Sequence, residues 1–355
     1  MLNNKKILVT GGTGSWGQEL IKQILQKYNP TEIRIYSRGE VRQVEMKHAF
    51  RDSRLTFIIG DVADKERLKE ACYGCDVVFH LAALKHVPVC EENQVPAIMT
   101  NIIGTMNVID VAIELGVKMV VDVSSDKAVD PLNFYGVTKS VGEKLIVNAN
   151  VKRGSTKFVC VRGGNVIGSS GSVIPLFRRQ ISTMNKITIT DKRMTRFLFS
   201  LRDAIALIFK AMEKSVGGEI FVMKMPAVRI VDLAEVMIEK LGNNNTRIEY
   251  IGIRPGEKIH EVLVSRYEKE RVVEDSDYFI ILPYIQIPEI NKKYKNVKPA
   301  ELEGEYSSDK TRILEKKEIW ATIQKSGYLD KTDAIIDKLD FQQLKHIATK
   351  EKWVI

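Results

Sequence analysis

The sequence predicts an α/β protein with a doubly wound parallel sheet and a smaller, interleaved C-terminal lobe. Two observations indicate this fold. The first 165 residues alternate short apolar runs with longer amphipathic stretches, which is the pattern of repeated strand–helix units. A glycine-rich turn also follows the first apolar run and opens directly into an amphipathic stretch.

Six apolar runs in this first part have the length of strands and lie about 20 to 45 residues apart. They are Ile7–Thr10, Ile33–Tyr36, Leu55–Ile59, Val77–Leu81, Met119–Val123 and Phe158–Val161. In a sheet of this type the ligand crevice lies at the carboxyl ends of the strands. We therefore expect the functional side chains directly after the strands.

The pattern after Gly168 is less regular. It predicts three helices and three strands: helices Val173–Ser182, Ala204–Lys214 and Val231–Leu241, and strands Ile187–Thr190, Glu219–Met223 and Arg247–Ile253. We divide the chain accordingly into a nucleotide-binding Rossmann domain over 1–165, whose sheet is completed by about 202–225, a substrate lobe over 166–201 and 226–330, and a tail over 331–355.

The composition excludes several classes of protein. Of the 355 residues, 44% are hydrophobic and 28% are charged, so the chain can bury a core and is not disordered. No uninterrupted apolar run approaches the ~18 to 20 residues that span a bilayer. We predict a soluble cytoplasmic protein with no membrane partner.

The charge distribution predicts an anionic ligand for the later half. The chain has 54 basic and 45 acidic residues; residues 1–150 contain 18 of each, which leaves 36 basic and 27 acidic residues for 151–355. The excess is diffuse, with one short cluster at Lys292, Lys293, Lys295 and Lys298. Nucleic-acid binding usually needs a basic stripe on one element, so we predict no nucleic-acid partner.

The cysteines predict no metal site. Cys72 and Cys75 form a C-x-x-C pair, but no second pair of Cys or His completes a ligand set. The pair lies between a helical pattern and an apolar strand, so we interpret it as two small buried residues at a turn.

The first glycine-rich turn has the pattern G-x-x-G-x-x-G, with Gly11, Gly14 and Gly17. Glycines let the backbone turn tightly and approach a pyrophosphate, and the helix amino end attracts its charge. The motif predicts dinucleotide binding. The candidate residues from this turn are Gly11, Thr13, Gly14, Ser15, Trp16 and Gly17.

The end of the second strand predicts which dinucleotide binds. NAD sites usually place a carboxylate there, whereas this strand ends in Tyr36, Ser37 and Arg38. A hydroxyl and a guanidinium suit a 2′-phosphate, so we predict NADP. Asp61 and Val62 are expected near the adenine. The small residues after the fourth strand, Leu81, Ala82 and Ala83, are expected beside the cofactor.

Tyr135 and Lys139 form a candidate catalytic pair. They are four residues apart and therefore lie on one helical face. A phenol with a pKa of about 10 is a poor base at neutral pH, but a neighbouring ammonium favours the phenolate. Tyr135 can then take a proton from a substrate hydroxyl while hydride leaves the same carbon.

Six segments together form a specific pattern. They are G-G-T-G-S-W-G at 11–17, A-A-L-K-H-V-P at 82–88, S-S-D-K-A at 124–128, N-V-I-G-S at 165–169, M-T-R-F at 194–197 and G-I-R-P-G-E-K at 252–258. With them the sequence resembles the extended short-chain dehydrogenase/reductase superfamily, and within it the bacterial UDP-N-acetylglucosamine 4,6-dehydratases of the C5-inverting, pseudaminic acid pathway type. The resemblance extends from about residue 3 to residue 309.

The resemblance implies a lyase that oxidises C4, removes the C5 proton and expels the C6 hydroxyl as water. By similarity, Lys127 is the C5 base, Asp126 the acid and Ser125 the partner of the 4-hydroxyl. Lys127 must be neutral to act, which requires desolvation or a cation such as Lys139 to lower its pKa.

The resemblance also implies partners. A UDP-sugar would account for the basic excess of the later half. The implied substrate residues are Lys85, Asn165, Arg196, Lys224, Arg254 and Glu257, and Lys85 is expected to contact the cofactor as well. Assembly into a dimer through Ile102–Leu115 and Tyr135–Asn148, or into a hexamer, is expected by similarity.

Two residues depart from the family pattern. Ser125 replaces a usual threonine and keeps the hydroxyl, whereas Gly163 replaces a usual aromatic residue and is expected to enlarge the sugar pocket. Three other functions stay open: a UDP-sugar C4 epimerase, a dehydratase of another nucleotide sugar, and a non-catalytic NADP-binding sensor. The Asp126–Lys127 pair argues against an epimerase, and Tyr135 with Lys139 argues against a sensor.

Overall fold

The computed structural model describes residues 1–151, 154–169 and 171–329. The predicted tail over 331–355 lies outside the described residues. Within them, the strands and helices that the apolar patterns predicted are all found, with ends shifted by a few residues.

The first half of the chain alternates strands and helices. Its strands are β1 (Lys6–Thr10), β2 (Glu32–Ser37), β3 (Leu55–Ile59), β4 (Val77–His80), β5 (Met119–Ser125) and β6 (Lys157–Gly163). Its helices are α1 (Ser15–Lys27), α2 (Glu40–Phe50), α3 (Lys65–Cys72), α4 (Val87–Glu92), α5 (Gln94–Ile98), α6 (Gly104–Glu114) and α7 (Phe134–Ala149). A π-helical turn over Met99–Ile103 joins α5 to α6, and a 3-10 turn over Asp126–Ala128 follows β5.

The second half has shorter strands. They are β7 (Asn165–Val166), β8 (Lys186–Ile189), β9 (Thr195–Phe199), β10 (Ile220–Met223), β11 (Ala227–Arg229), β12 (Arg247–Tyr250), β13 (Val262–Val264), β14 (Val272–Asp275), β15 (Tyr278–Ile281) and β16 (Tyr306–Ser307). The helices are α8 (Val173–Met184), α9 (Leu201–Lys214), α10 (Ile230–Leu241), α11 (Pro288–Tyr294) and α12 (Lys316–Lys325), with a 3-10 turn over Lys269–Arg271.

The large sheet confirms the predicted doubly wound fold. Its strand order is β14-β15-β10-β6-β5-β4-β1-β2-β3, and the strands from β3 to β10 in this order run parallel. The direction of winding reverses between β1 and β4, which opens a crevice at their carboxyl ends.

One boundary of the predicted division needs correction. The antiparallel strands β14 and β15 join the large sheet beside β10, although they fall within the range 226–330 that was assigned to the lobe. Their continuous apolar residues pack on the sheet core, so sequence order did not reveal which layer they join. The other bounds of the predicted cofactor domain and substrate lobe stay predictions.

The remaining strands form three small sheets, β11-β9-β7, β12-β8 and β13-β16. Helices α8, α10 and α12 pack on them around a separate apolar core that includes Phe177, Leu233 and Ile319. Leu263 and Val264 of β13 pack instead in the main apolar core, and β13 contacts the 3-10 turn that follows β5.

One helical stretch in the described ranges, Gln94–Glu114, is long and apolar enough by composition to span a bilayer. However, 56% of its most apolar window is buried inside the fold, as in a core helix of a soluble protein. The stretch combines α5, the π-helical turn and α6, and its buried side packs against α7.

Candidate active site

The turn after β1 forms a cradle of bare backbone. Gly11 has a φ of +66°, and a Cβ at this position would lie 2.8 Å from backbone atoms of Ala82. A Cβ at Gly17 would lie 2.5 Å from the backbone of Gly12. Helix α1 begins after Gly14 without a side-chain cap. The tight backbone and the partial positive charge of the helix end fit a pyrophosphate.

The tip of β4 closes over this cradle. The backbone N–H of Leu81 donates to the carbonyl of Thr10 at 3.1 Å, and that of Ala82 donates to the Thr10 hydroxyl at 3.3 Å. Ala83 is half-buried next to them, and Val62 is buried against Gly104. Small side chains and hydrogen-bonded backbone are therefore grouped around this turn, and their role as a cofactor site stays a prediction.

The end of β2 contains both signs of charge. The Ser37 hydroxyl lies 3.3 Å from that of Thr13 and accepts from Nε2 of Gln43 at 3.0 Å. Nη1 of Arg38 donates to Oδ2 of Asp61 at 3.4 Å, with 54% and 37% of the two side chains exposed. Tyr36, Ser37 and Arg38 include no carboxylate, but Asp61 supplies one in space. Asp61 therefore offsets part of the positive charge that Arg38 would offer to a 2′-phosphate.

The carboxyl end of β5 carries an acid–base cluster. The Ser125 hydroxyl donates to Oδ1 of Asp126 at 2.7 Å, and Nζ of Lys127 donates to the same oxygen at 3.1 Å. Asp126 is 1% exposed, and its Oδ2 has no hydrogen-bond partner among the described residues. A buried carboxylate oxygen of this kind is unusual in a structural ion pair and leaves an acceptor for a ligand or a proton.

Helix α7 brings the second catalytic pair to this cluster. Asn133 caps the helix by accepting from the backbone N–H of Gly136 at 2.8 Å. Tyr135 and Lys139 follow on one buried face, and a hydrogen bond links Tyr135 with Ser125. The structure therefore groups Tyr135 with the cluster at the end of β5, as the sequence predicted.

Behind Lys139 lies a carboxylate that the sequence analysis missed. Oδ1 of Asp122 lies 3.8 Å from Nζ of Lys139, and its Oδ2 accepts from the Cys160 thiol at 3.6 Å. Both residues of the ion pair are buried. The signal was an acidic residue inside an apolar strand run, since a carboxylate at such a position needs a partner.

The charges of the two lysines are set by these carboxylates. Burial alone lowers the pKa of Lys127, but the charges of Asp126 and then Glu261 outweigh it and raise the pKa above the ordinary lysine value. Burial also opposes the charge of Lys139, and Asp122 raises its pKa. The expectation that a cation such as Lys139 lowers the pKa of Lys127 is wrong for this structure, because the carboxylates dominate.

Burial also raises the pKa of the Tyr135 phenol, against the opposing effects of Lys139 and Lys127. The cluster therefore rests with two ammonium groups and a neutral phenol. Formation of a phenolate at neutral pH requires further positive charge beside it, such as the oxidised nicotinamide would bring.

Arg196 and Glu261 join the cluster from the small sheets. Oε1 of Glu261 lies 3.6 Å from Nζ of Lys127 and 3.5 Å from Nε of Arg196. The buried guanidinium donates to the carbonyls of Thr195, Ile259 and Lys258 at 2.8 to 2.9 Å. Arg196, expected to bind substrate, thus also clamps the segment that carries Glu261, a residue that the sequence analysis missed.

The loop that precedes Glu261 docks on the start of α7. Nδ2 of Asn133 donates to the carbonyl of Gly256 at 2.9 Å, and Lys258 donates to the carbonyl of Val129. Arg254 is exposed on this loop, and Oε1 of Glu257 lies 3.8 Å from Nη2 of Arg196. The predicted residues 254 and 257 are therefore held at the mouth of the cluster.

The other predicted substrate residues differ in position. Asn165 lies in β7 and has a buried Oδ1 without a hydrogen-bond partner in the described chain. Desolvation, followed by the positive charges of Arg42 and Lys127, lowers the pKa of Lys85. Lys224 instead turns toward the β14–β15 hairpin, where it pairs with Glu274 and donates to the carbonyl of Ser276 at 3.0 Å. The structure does not bring Lys224 into the cluster.

The space beside Gly163 is already filled. A Cβ there would lie 3.1 Å from the ring of Phe199 and 3.2 Å from the indole of Trp16, and these two rings meet edge-on with centroids 6.1 Å apart. The expectation that Gly163 enlarges the sugar pocket is therefore wrong at this point. Trp16, from the glycine-rich turn, supplies the bulk that an aromatic side chain on β6 would otherwise provide.

Comparisons with known proteins identify the family of the chain. A family model described as "Polysaccharide biosynthesis protein" matches residues 7–283. The chain is 45% identical over 290 residues to a UDP-N-acetylglucosamine 4,6-dehydratase (inverting) of Campylobacter jejuni, covering 81% of this chain and 85% of that protein. The resemblance predicted from the motifs is thereby confirmed.

Two further relatives and one solved structure are similar to the chain over most of its length. An uncharacterized membrane protein of Methanocaldococcus jannaschii is 42% identical, covering 92% of this chain and 97% of that protein. A UDP-glucose 4-epimerase of Rickettsia canadensis is 40% identical, covering 90% and 95%. The X-ray structure of Pen from Bacillus thuringiensis aligns with a TM-score of 0.86 at 42% identity, covering 92% of this chain and 99% of that one.

Proposed function

The chain belongs to the polysaccharide biosynthesis protein family, among nucleotide-sugar dehydratases and epimerases, and we propose that it is an NADP-dependent UDP-N-acetylglucosamine 4,6-dehydratase that inverts C5. The product is UDP-2-acetamido-2,6-dideoxy-β-L-arabino-hex-4-ulose, used for a bacterial surface glycan or a flagellin sugar such as pseudaminic acid. The observation that carries the proposal is the hydrogen-bonded Asp126–Lys127 pair beside Tyr135, since oxidation at C4 alone needs only the tyrosine.

The first step uses α7. Tyr135 takes the proton of the 4-hydroxyl as hydride leaves C4, and Ser125 hydrogen-bonds the same oxygen. A nicotinamide bound beside Tyr135 would supply the hydride chemistry at C4 and at C6. The ammonium of Lys139 favours the phenolate form of Tyr135 electrostatically.

The second step uses the pair after β5. The new ketone makes the C5 proton acidic, and the amine of Lys127 takes it. The C5–C6 double bond forms as the C6–O bond breaks, and Asp126 gives the departing hydroxyl a proton, so that water leaves. Lys127 then returns its proton to C5 on the other face as C6 is reduced.

The pair can reach its working form by moving one proton. At rest Lys127 is charged and donates to Oδ1 of Asp126 at 3.1 Å. Transfer of that proton along the hydrogen bond produces the neutral amine and the neutral acid that elimination needs. The same proton transfer therefore protonates Asp126 and neutralises Lys127, and no proton is exchanged with solvent.

NADP is proposed to lie across the glycine cradle. Gly11, Gly14 and Gly17 would bind the pyrophosphate, Arg38 and Ser37 the 2′-phosphate, and Asp61 and Val62 would lie near the adenine. The exposed Arg38 supports NADP, and its pairing with Asp61 favours NAD.

UDP is proposed to enter from the loop and small-sheet side. Oδ1 of Asn165 is buried without a hydrogen-bond partner among the described residues, and Arg254 is exposed on the loop. Arg196 is partly engaged by backbone carbonyls. Lys85 lies where cofactor and sugar would meet. Lys224 needs to leave Glu274 before it can contact UDP.

A cytoplasmic homo-oligomer is proposed as the working form. Val95, Met99, Met106 and Val137 are exposed apolar residues on α5 to α7 and on the turn between them, the region expected by similarity to form a dimer. Burial of these side chains in a partner interface would remove an apolar surface from water. Nucleic acid and membrane are not proposed as partners.

The test is incubation with UDP-N-acetylglucosamine and NADP in deuterium oxide, followed by NMR. We expect a 4-keto-6-deoxy sugar with one solvent deuteron at C5 and inverted configuration. UDP-N-acetylgalactosamine as the sole product would instead identify a C4 epimerase, which the epimerase relatives keep as the second candidate. Turnover only with another nucleotide sugar would change the substrate, and NADP binding without turnover of any sugar would indicate a sensor.

A further inference from the structure

Glu261 is the one carboxylate in the described chain that is paired with both Lys127 and Arg196. Its side chain is buried, Oε1 lies between the two cations, and Oε2 has no hydrogen-bond partner among the described residues. A buried carboxylate keeps its charge only if cations compensate it. The two cations that do so here come from opposite sides of the cluster.

The backbone holds Glu261 in this place. Its N–H donates to the Ser308 hydroxyl at 2.9 Å, and its carbonyl accepts from the Ser308 N–H at 2.8 Å. Arg196 fixes the preceding residues through the carbonyls of Ile259 and Lys258. The small sheets therefore deliver a fixed negative charge to a lysine on the far side of the crevice.

We infer that Glu261 is a positioning residue for elimination: its carboxylate holds the Lys127 amine beside Asp126 and sets the charge of that amine. The inference rests on the proposed function and deepens it. Asp126 alone would let the amine rotate about their single contact. A second carboxylate at 3.6 Å fixes its direction and stabilises its ammonium form until the proton moves to Asp126.

Other charged or titratable groups also act on Lys127. They are Asp126 on its own turn, Tyr135 on α7, Arg196 on β9, Lys85 after β4 and Lys258 on the docked loop. Tyr135, when ionised, and Asp126 favour the ammonium, whereas the other three disfavour it. Removal of the Glu261 charge leaves three cations against one resting carboxylate, so the pKa of Lys127 must fall.

The experiment compares wild type with Glu261→Gln, which keeps the shape and removes the charge. Protein labelled with ¹³C at the lysine Cε is titrated by NMR, and Lys127→Ala identifies the Lys127 signal. We expect the Lys127 titration to move to lower pH by about one unit or more in Glu261→Gln. The rising limb of the pH–rate profile for dehydration should move in the same direction, while the plateau rate falls.

Glu305→Gln is the matched control. Glu305 precedes β16, the strand that pairs with β13, and its carboxylate contacts Lys310. The Glu305→Gln substitution removes one negative charge from the same small sheet and changes no contact of Lys127. Neither the Lys127 titration nor the pH–rate limb should move in this variant.

An unchanged Lys127 titration in folded Glu261→Gln overturns the inference, as does a shift of equal size in Glu305→Gln. If Glu261→Gln fails to fold by circular dichroism, Glu261→Asp replaces it and should give a smaller downward shift. No shift in that variant overturns the inference too. If wild type does not dehydrate UDP-N-acetylglucosamine but the titration moves, the proposed function fails and the role of Glu261 in setting the charge of Lys127 stands.

Discussion

Two lysines of the cluster, Lys139 on the cofactor side and Lys127 on the substrate side, have different surroundings. Among the described residues, Lys139 forms one ion pair, with Asp122 on β5 at 3.8 Å. Lys127 has two, Asp126 at 3.1 Å and Glu261 at 3.6 Å, and one of them comes from the small sheets. The side chain of Lys127 is also 25% exposed, against 5% for Lys139.

The difference indicates two different tasks. A deeply buried ammonium with a single fixed counter-ion is a constant charge, which suits an electrostatic role beside Tyr135. An ammonium in hydrogen-bond contact with one carboxylate and close to another can exchange its proton, which suits a base. The two residues are of the same type, so it is their position in the fold that distinguishes their roles.

The largest effect that separates them is expected from the two alanine variants. Lys127→Ala should lower the rate of water elimination by about 10²- to 10⁴-fold, because it removes the base, and should leave NADP affinity within a few-fold of wild type. Lys139→Ala should weaken NADP binding and slow the hydride step. Product formation followed by NMR and cofactor binding followed by calorimetry measure both.

Equal loss of cofactor binding in the two variants would contradict the division of tasks. Exchange of C5 with solvent deuterium, measured on the 4-keto sugar as substrate, provides the control for chemistry. Lys127→Ala should abolish that exchange, whereas Lys139→Ala should retain it.

The next effect concerns the counter-ion of Lys139. Asp122→Asn should lower the free energy of unfolding at pH 7 by about 3 kcal/mol, because it leaves a buried charge uncompensated. In wild type the raised pKa of Lys139 contributes stability that is present below about pH 10.4 and is lost as pH rises through the higher folded value.

The variant should show the opposite slope. Without Asp122, desolvation should lower the folded pKa of Lys139 below the unfolded value of about 10.4, so the unfolded state binds more protons and stability should rise as pH approaches that value from below. Urea denaturation at several pH values measures the slope. A variant curve parallel to that of wild type would show that Asp122 is not the counter-ion.

The sequence predicted those features of the two lysine sites that depend on residues close together in the chain. The six strands of the first half follow from runs of apolar residues, and Ser125, Asp126 and Lys127 follow from their place directly after one of them. Tyr135 and Lys139 follow from helical spacing. Each of these inferences needs only neighbouring residues.

The missing parts depend on long-range contacts. Glu261 meets Lys127 only because the small sheets fold back over the crevice, and Asp61 meets Arg38 only because β3 lies beside β2. Asp122 lies inside the apolar run Met119–Val123, which predicts a strand and gives no sign of the partner of its carboxylate. Charge counted along the chain cannot reveal such pairs, which is why the argument for NADP and the expected pKa of Lys127 needed correction.

A smaller effect is expected at Gly163, which lies opposite Ser125 in the register of β5 and β6. Gly163→Ala places a methyl group 3.1 to 3.2 Å from Phe199 and Trp16, so the rings must move and the protein should lose about 1 to 3 kcal/mol of stability. Trp16→Phe in the same chain should restore part of it. Additive effects in a double-mutant cycle, measured by urea denaturation, would exclude this contact.

The smallest effect is expected from the exposed pair at the far end of the cofactor site. Asp61→Asn keeps the Oδ1 acceptor for the N–H of Ala63 at 3.0 Å but removes the charge beside Arg38. The freed guanidinium should bind a 2′-phosphate better, and loss of the carboxylate should weaken the binding of NAD. The ratio of NADP affinity to NAD affinity should therefore rise by about two- to five-fold, which is the scale of exposed ion pairs.

Arg38→Gln is the matched control and should lower the ratio. Calorimetry with both cofactors measures it, and the shift in Asp61→Asn should shrink in high salt because exposed charges are screened. A ratio that Asp61→Asn leaves unchanged would mean that this exposed pair takes no part in the choice between NADP and NAD.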